Sequence, residues 1–262
     1  MLTDLDVVAV IPARWESSRF PGKPLEKIRG RAMIEWVVEG ALRARRVRDV
    51  VVATDDKRIF DAVLSFGGKA VMTSKNHVSG TDRIAEAIHG YNCSVVVNIQ
   101  GDEPLISSEN IDLVIEPFIK NSGLQVSTLK YRLKNSRDIF NPNVTKVVTD
   151  TKGFALYFSR APIPFDRDCW GKIFVKNSLE DINIEAVEIY KHIGIYGYSR
   201  LFLQKFPDLP RSRLEEYERL EQLRILDQGV SIKVIETRFD SIGVDSPEDM
   251  IKVEQLINDN KF

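Results

Sequence analysis

Cysteine is scarce in this chain. The two that occur, Cys93 and Cys169, match neither the C-x-x-C nor the Cys/His spacing of a disulfide framework or zinc site, and this usage predicts a reducing cytoplasm. Excess charge is missing as well. With 37 Lys and Arg against 38 Asp and Glu the formal net charge is −1, so no global field draws the chain to nucleic acid or an anionic membrane. Any anionic ligand must be held locally. No apolar run approaches the roughly 20 residues of a membrane span. The opening MLTDLDVVAVIPAR puts acids where a signal peptide needs basic residues. The phosphate-binding signatures G-x-G-x-x-G and G-x-x-x-x-G-K-[ST] are absent too, which removes the usual support for dinucleotide enzymes and P-loop kinases.

What is present is enough apolar residue for a full core: 262 residues, 43% hydrophobic and 29% charged, suit one large α/β domain or two small ones. Apolar, β-branched runs at 7–13, 50–54, 69–73, 94–101, 126–133, 146–150, 154–160, 192–198 and 231–237 predict strands. Segments with a 3.6-residue period at 32–46, 56–66, 80–89, 108–119, 213–228 and 247–257 predict helices. The first half alternates strand and helix. That pattern implies a mostly parallel sheet with helices on both faces and a ligand at the carboxyl ends of the strands. Three strands in close succession after residue 126 suggest an antiparallel or mixed extension. The stretch 168–188 has weak periodicity and reads either as a mobile loop or as an extension over the sheet.

Motifs in such a fold belong just after strands. The loop after the first strand carries Arg14, Arg19 and Lys23, stiffened by Pro12, Pro21 and Pro24, and suits either a polyphosphate held by backbone N–H and basic side chains or a solvated basic turn, the prolines favouring the former. The run 94–101 ends in Gln-Gly-Asp-Glu-Pro, so Asp102 stands where a buried strand opens to a crevice. A hard divalent cation takes such carboxylates together with water and substrate phosphate; a plain Asp-Glu-Pro turn is the competing reading. Asp245 precedes Ser-Pro-Glu-Asp, which serves either a helix cap or a metal. Ser79-Gly80-Thr81-Asp82-Arg83 reads as a helix N-terminus able to meet a nucleotide's sugar and base edges. His192, Tyr196 and Tyr198 share one strand face, either a sugar pocket or an exposed face. Arg160, at a strand end, is a carboxylate partner or a surface arginine.

Taken in order, these segments resemble the 3-deoxy-manno-octulosonate (Kdo) cytidylyltransferases, or CMP-Kdo synthetases. The resemblance spans nearly the whole chain and rests on IPARWESSRFPGKPL at 11–25, ATDD at 53–56, SGTDR at 79–83, NIQGDEP at 98–104, FNPNVTKVV at 140–148, ALYFSRAPIPFDRD at 155–168, HIGIYGY at 192–198, YERLEQLR at 217–224 and GVDSPED at 243–249. It implies a single domain, 1–262, of the nucleotide-diphospho-sugar transferase (Rossmann-like) fold. It also implies a homodimer that uses CTP and Mg²⁺ to make CMP-Kdo for lipopolysaccharide synthesis. By the same resemblance Arg14 and Lys23 hold the triphosphate, and Ser79, Gly80, Thr81, Arg83 and Gln100 recognise cytosine and ribose. Asp102 and Asp245 bind the metal and, with Lys23, carry catalysis. Arg160, His192, Tyr196, Glu221 and Gln222 face the acid sugar, with Arg160 toward its carboxylate.

The implied reaction is in-line attack of the sugar's anomeric hydroxyl on the α-phosphorus, which asks the protein for alignment and charge neutralisation rather than covalent chemistry. No motif identifies a general base. An enzyme acting on the 8-amino analogue of Kdo, or on a sialic acid, would share the nucleotide motifs. A non-catalytic protein of the same fold would be expected to lack Asp102, Asp245 or Lys23, and all three are present.

Overall fold

The computed structural model of the chain describes residues 5–16, 20–167, 170 and 188–259. Arg19, Cys169 and the stretch 168–188, apart from Trp170 and Glu188, lie outside the described residues. By packing, the chain forms two compact units, one of residues 1–125, 194–208 and 241–262, the other of residues 126–193 and 209–240.

The first unit is built on strands whose apolar faces dictate burial on both sides. Val7–Ala13 is buried along almost its whole length and pairs in parallel with Asp49–Thr54 on one side and Val95–Asn98 on the other. Asp49–Thr54 pairs in parallel with Lys69–Met72. Beyond Val95–Asn98, residues 196–199 of the strand Tyr190–Ser199 add an antiparallel neighbour. The chain thus leaves the first strand in one direction and returns on its other side, which creates a switch point between Val7–Ala13 and Val95–Asn98. Helices Met33–Leu42, Lys57–Ser65, Gly80–Ala87 and Ser108–Lys120 connect the strands. The final helix, Pro247–Asn258, packs Val253 and Ile257 against Ile28, Met33 and Val244.

The second unit has the mixed character expected of it. Ile232–Thr237 pairs in parallel with Val126–Arg132, whereas Lys146–Thr149 and Ala155–Ser159 form an antiparallel pair with an irregularity at Val148/Thr149. Leu133, Ile139, Trp170 and Ile189 form a buried cluster there.

Three expectations need correction. The run 94–101 is a strand only over Val95–Asn98, because the chain turns at Gly101, with Glu103 N donating to Gln100 O at 3.3 Å. The helix expected over 32–46 ends at Leu42, since Asp112 takes the backbone N–H groups of Arg45 and Arg46 at 3.3 and 2.9 Å. The helix expected over 213–228 is two helices, Arg213–Glu218 and Gln222–Asp227, broken at Arg219, which adopts φ +53°. Two short helices, Ser136–Phe140 and Arg200–Lys205, carry too few turns to show a period.

Candidate functional site

At the carboxyl ends of Val7–Ala13 and Val95–Asn98 lies a cleft of about 270 Å³. Its lining includes Pro12, Arg14 and Lys23 from the first loop, His77, Val78, Ser79, Gly80 and Arg83 around the start of Gly80–Ala87, Gln100, Gly101 and Asp102 after Val95–Asn98, and Asp245. Four sequence segments far apart in the chain therefore converge at the switch point. The approach is tight: a Cβ on Gly101 would stand 3.0 Å from Pro12 O, so glycine is what lets the two crevice loops touch.

One ammonium organises the charged end. Lys23 Nζ donates to Asp102 Oδ2 at 2.6 Å and to Val244 O at 2.8 Å, and lies 3.5 Å from Asp245 Oδ1. Lys23 is placed by a short 3-10 turn, Lys23–Leu25, capped by Gly22 at φ +75°. Asp245 is brought alongside because Val244, fully buried, donates its N–H to Asp102 O at 2.8 Å. The helix cap is Ser246, which forms a capping box with Asp249. Capping is thus done by the next residue, and Asp245 presents its carboxylate to Lys23 instead.

Two carboxylates that converge on a single positive point fit a divalent cation. Among the described residues no group of three or more His, Cys, Asp or Glu could hold a metal, so Asp102 and Asp245 would supply two ligands, leaving water and phosphate oxygens for the rest. That division is the usual one for Mg²⁺.

The uncharged end is a helix N-terminus. Ser79 caps Gly80–Ala87, accepting from Asp82 N at 3.1 Å, and a helix N-terminus favours an anionic or acceptor ligand. Gln100 Nε2 donates to Gly194 O at 3.2 Å, which leaves its amide oxygen as an acceptor. Arg83 lines the cleft, but it is only 4% exposed and its guanidinium donates to Asp55 Oδ2 at 2.7 Å and Thr73 Oγ1 at 2.6 Å. It braces the loops around the cleft. Thr81 is 1% exposed and does not line the cleft. Sequence reasoning missed His77 and Val78, whose only signal is their position just before the Ser-Gly-Thr-Asp-Arg motif. His77 Nε2 contacts Glu86, whose carboxylate also accepts from Ser74 N at 3.0 Å. It missed Asp55 as the partner of Arg83, although Asp55 lies within the Ala-Thr-Asp-Asp motif.

Of the residues expected to face a sugar, four lie in the second unit. His192 meets Phe158 edge-on, with ring centroids 5.0 Å apart, and its Nε2 is 3.0 Å from Thr128 Oγ1. The Thr128 hydroxyl donates to Ile193 O at 3.1 Å, so its oxygen accepts from His192 Nε2–H. Burial lowers the His192 pKa to about 3, with Lys191 adding to the effect. Arg160 spends three of its side-chain donors on backbone carbonyls. Glu221 stands at the start of Gln222–Asp227, and Gln222 is 7% exposed with Nε2 lacking a hydrogen-bond partner among the described residues. Tyr196 belongs to the first unit. Its ring stacks on Tyr198, which in turn stacks on Phe202, and Tyr196 and Tyr198 are 7% and 2% exposed. The exposed-face reading of this strand is therefore wrong: Tyr198 is core.

Among the described residues no helix is long and apolar enough to cross a membrane. Residues 8–233 match the cytidylyltransferase family. The 3-deoxy-manno-octulosonate cytidylyltransferase of Thermodesulfovibrio yellowstonii is 51% identical over 96% of this chain and 98% of its own length. That of Trichlorobacter lovleyi is 47% identical over 96% and 98%. A solved CMP:2-keto-3-deoxy-manno-octonic acid synthetase complexed with CTP is 41% identical, has a TM-score of 0.87, and covers 97% of this chain and 99% of its own. With the ordered motifs, the switch-point cleft and these likenesses together, the chain belongs to the cytidylyltransferase family, among the 3-deoxy-manno-octulosonate cytidylyltransferases.

Proposed function

We propose that this chain transfers CMP from CTP to the anomeric C2 hydroxyl of Kdo, giving CMP-Kdo and pyrophosphate. We take residues 1–262 as a single catalytic domain that works with Mg²⁺, as a homodimer, in the cytoplasm, and whose product feeds lipopolysaccharide synthesis. The observation that carries the reading is the convergence of Asp102 and Asp245 on Lys23 in a cleft that also presents Arg14, Ser79, Gly80 and Gln100. Support comes from the names of the similar proteins and from the CTP bound to one of them.

In the proposed reaction the sugar hydroxyl oxygen forms a bond to the α-phosphorus. The bond from that phosphorus to the bridging oxygen breaks, and pyrophosphate leaves with the electron pair while the hydroxyl proton passes to solvent. Arg14 and Lys23 balance the triphosphate's charge. The N–H groups at the start of Gly80–Ala87, with Ser79 and Gln100, hold ribose and base, while Arg83 and Thr81 support that turn from behind. Asp102 and Asp245 hold the metal, which when bound stabilises charge on the phosphates as a Lewis acid. Arg160 takes the sugar's carboxylate. His192, neutral at working pH, presents an imidazole without charge, and Tyr196, Glu221 and Gln222 serve the hydroxyls. The buried Gln222 amide, whose Nε2 has no partner among the described residues, gains one from the sugar, which matters because an unpaired buried donor costs about 1–3 kcal/mol.

The test is pyrophosphate release from CTP and Mg²⁺ with Kdo, its 8-amino analogue and a sialic acid offered separately, each with and without EDTA. EDTA-sensitive release with Kdo is expected. Preference for the amino sugar would keep the mechanism and change the substrate, and no release with any acceptor would sink the reading.

A further inference from the structure

Arg160 follows the strand Ala155–Ser159 in the second unit, and both its backbone groups are held by charged side chains. Its N–H donates to Glu218 Oε2 at 2.9 Å, and its carbonyl accepts from Lys146 Nζ at 2.7 Å. The guanidinium donates from Nε to Glu218 O at 2.6 Å, from Nη1 to Pro142 O at 2.9 Å and from Nη2 toward Arg219 O at 3.4 Å. A guanidinium has five N–H groups, so among the described residues two remain without a partner, one on each terminal nitrogen.

The carbonyls of Glu218 and Arg219 are available because the helix breaks there. In a continuous helix they would accept from the N–H groups of Gln222 and Leu223. Here Arg219 is left-handed and Leu223 N turns to Leu220 O at 3.1 Å, which hands both acceptors to Arg160. Glu218 also takes the Ser159 hydroxyl at 2.5 Å.

Lys146 is fully buried, and its other two ammonium hydrogens go to Asn141 O at 3.0 Å and Val144 O at 2.6 Å. Burial lowers its pKa to about 8. A buried ammonium spent wholly on backbone carbonyls is a costly way to close a loop, and here it fixes both the Asn141–Val144 turn beneath Arg160 and the carbonyl of Arg160 itself.

We infer that Lys146 and Glu218 are positioning residues for the acid sugar: they lock Arg160 so that its two remaining N–H groups form a preset fork for the sugar's carboxylate. The inference rests on the reading of Arg160 given above. Bidentate pairing demands a fixed guanidinium plane, and misplacement by about 1 Å is enough to cost binding or rate heavily.

The experiment uses the full chain with Arg160→Met, Lys146→Met, Glu218→Gln and the doubles of the last two with Arg160→Met. Apparent KM for Kdo at saturating CTP, KM for CTP at saturating Kdo, and Tm are measured for each. Lys146→Met and Glu218→Gln are expected to raise KM for Kdo about tenfold with KM for CTP within about twofold. In the Arg160→Met background, which itself raises KM for Kdo, either change should add less than about twofold, while Tm falls by the same amount in both backgrounds. A Kdo KM unmoved by the single changes, equal rises for both substrates, or effects that multiply with Arg160→Met would overturn the inference while leaving Arg160 on the carboxylate. A Kdo KM unmoved by Arg160→Met would overturn the carboxylate reading and this inference with it. If Lys146→Met does not fold, Glu218→Gln, which preserves size, decides the matter alone.

Discussion

The cleft of the first unit and the Arg160 cluster of the second both gather charged side chains, but they hold them in opposite ways. In the cleft, carboxylates and an ammonium face one another at a partly open crevice, and Asp245 keeps a half-exposed side chain. Around Arg160 the two cations face backbone carbonyls, Glu218 accepts from a hydroxyl and a backbone N–H, and Lys146 is cut off from solvent altogether. Charges that face one another are available for exchange with a cation or a phosphate. Charges committed to backbone carbonyls fix geometry. On the proposed function, the difference separates groups that handle ligand charge from groups that set a ligand's pose.

The sharpest way to break that contrast is to remove one carboxylate from the cleft. Asp102→Asn should lower kcat/KM by more than about 100-fold, the scale seen when a group facing transition-state charge is lost. Its Tm should stay within a few degrees, because Lys23 keeps Val244 O and the surrounding apolar contacts are untouched. Steady-state kinetics with a thermal melt checks both, and near-native turnover would take Asp102 out of the metal assignment.

Gly101→Ala attacks the same cleft through its backbone. The new methyl would meet Pro12 O at 3.0 Å and Ile11 Cγ2 at 3.5 Å, so the crevice loops must part by a few tenths of an ångström. A loss of about 1–2 kcal/mol in stability is expected, with activity down about tenfold as Asp102 shifts. Unchanged stability in a denaturant titration would mean the two loops are free to separate.

These two positions also show what was legible in the sequence. The alternation of strand and helix in the first half, and the placing of Lys23, Asp102 and Asp245 after strands, follow from local pattern and the parallel-sheet rule. What sequence could not show was the hydrogen bond from Val244 N to Asp102 O that brings Asp245 in from more than a hundred residues away. Lys146 and Glu218 were invisible for a related reason. One sits in an apolar strand and the other in a helix rich in Glu and Arg, and nothing local shows that the first is spent on the carbonyls of Asn141, Val144 and Arg160 and the second on the Ser159 hydroxyl and the N–H of Arg160. The 3.6-residue reading of 213–228 does not show the break, although Arg213–Glu218 buries no residue and Gln222–Asp227 buries Leu223 and Ile225. Tyr198 misled for the opposite reason: a strand's alternation places it with His192, but stacking on Phe202 makes it core.

A smaller effect separates the two regions by pH. Burial holds His192 near a pKa of about 3 in the folded second unit, against 6.5 as its ordinary value. Between those values the unfolded chain binds more protons, so this residue's contribution is full above pH 6.5 and is lost as pH falls toward 3. The loss by pH 5 is about 2 kcal/mol. Comparing melts of the wild type with His192→Asn, the gap in Tm should narrow by a few degrees from pH 7 to pH 5. Parallel curves would show that the imidazole is already solvated.

The smallest effect tests the break itself. Arg219 sits at φ +53° and ψ +45°, a conformation in which any side chain with a Cβ is strained and glycine is not. Arg219→Gly keeps the carbonyl that faces Arg160 and relieves that strain, at the cost of a more flexible unfolded chain, so a net gain of a few tenths to about 1 kcal/mol is expected. Arg219→Val should lose stability instead, since a β-branched residue tolerates the left-handed region worst. Melts that rank the glycine variant above the wild type and the valine variant below it would confirm that the chain holds the break against its local helical preference. Identical melts for the two would mean that the helix runs on through 219 in solution, which would return the carbonyls of Glu218 and Arg219 to the helix and leave Arg160 unlocked.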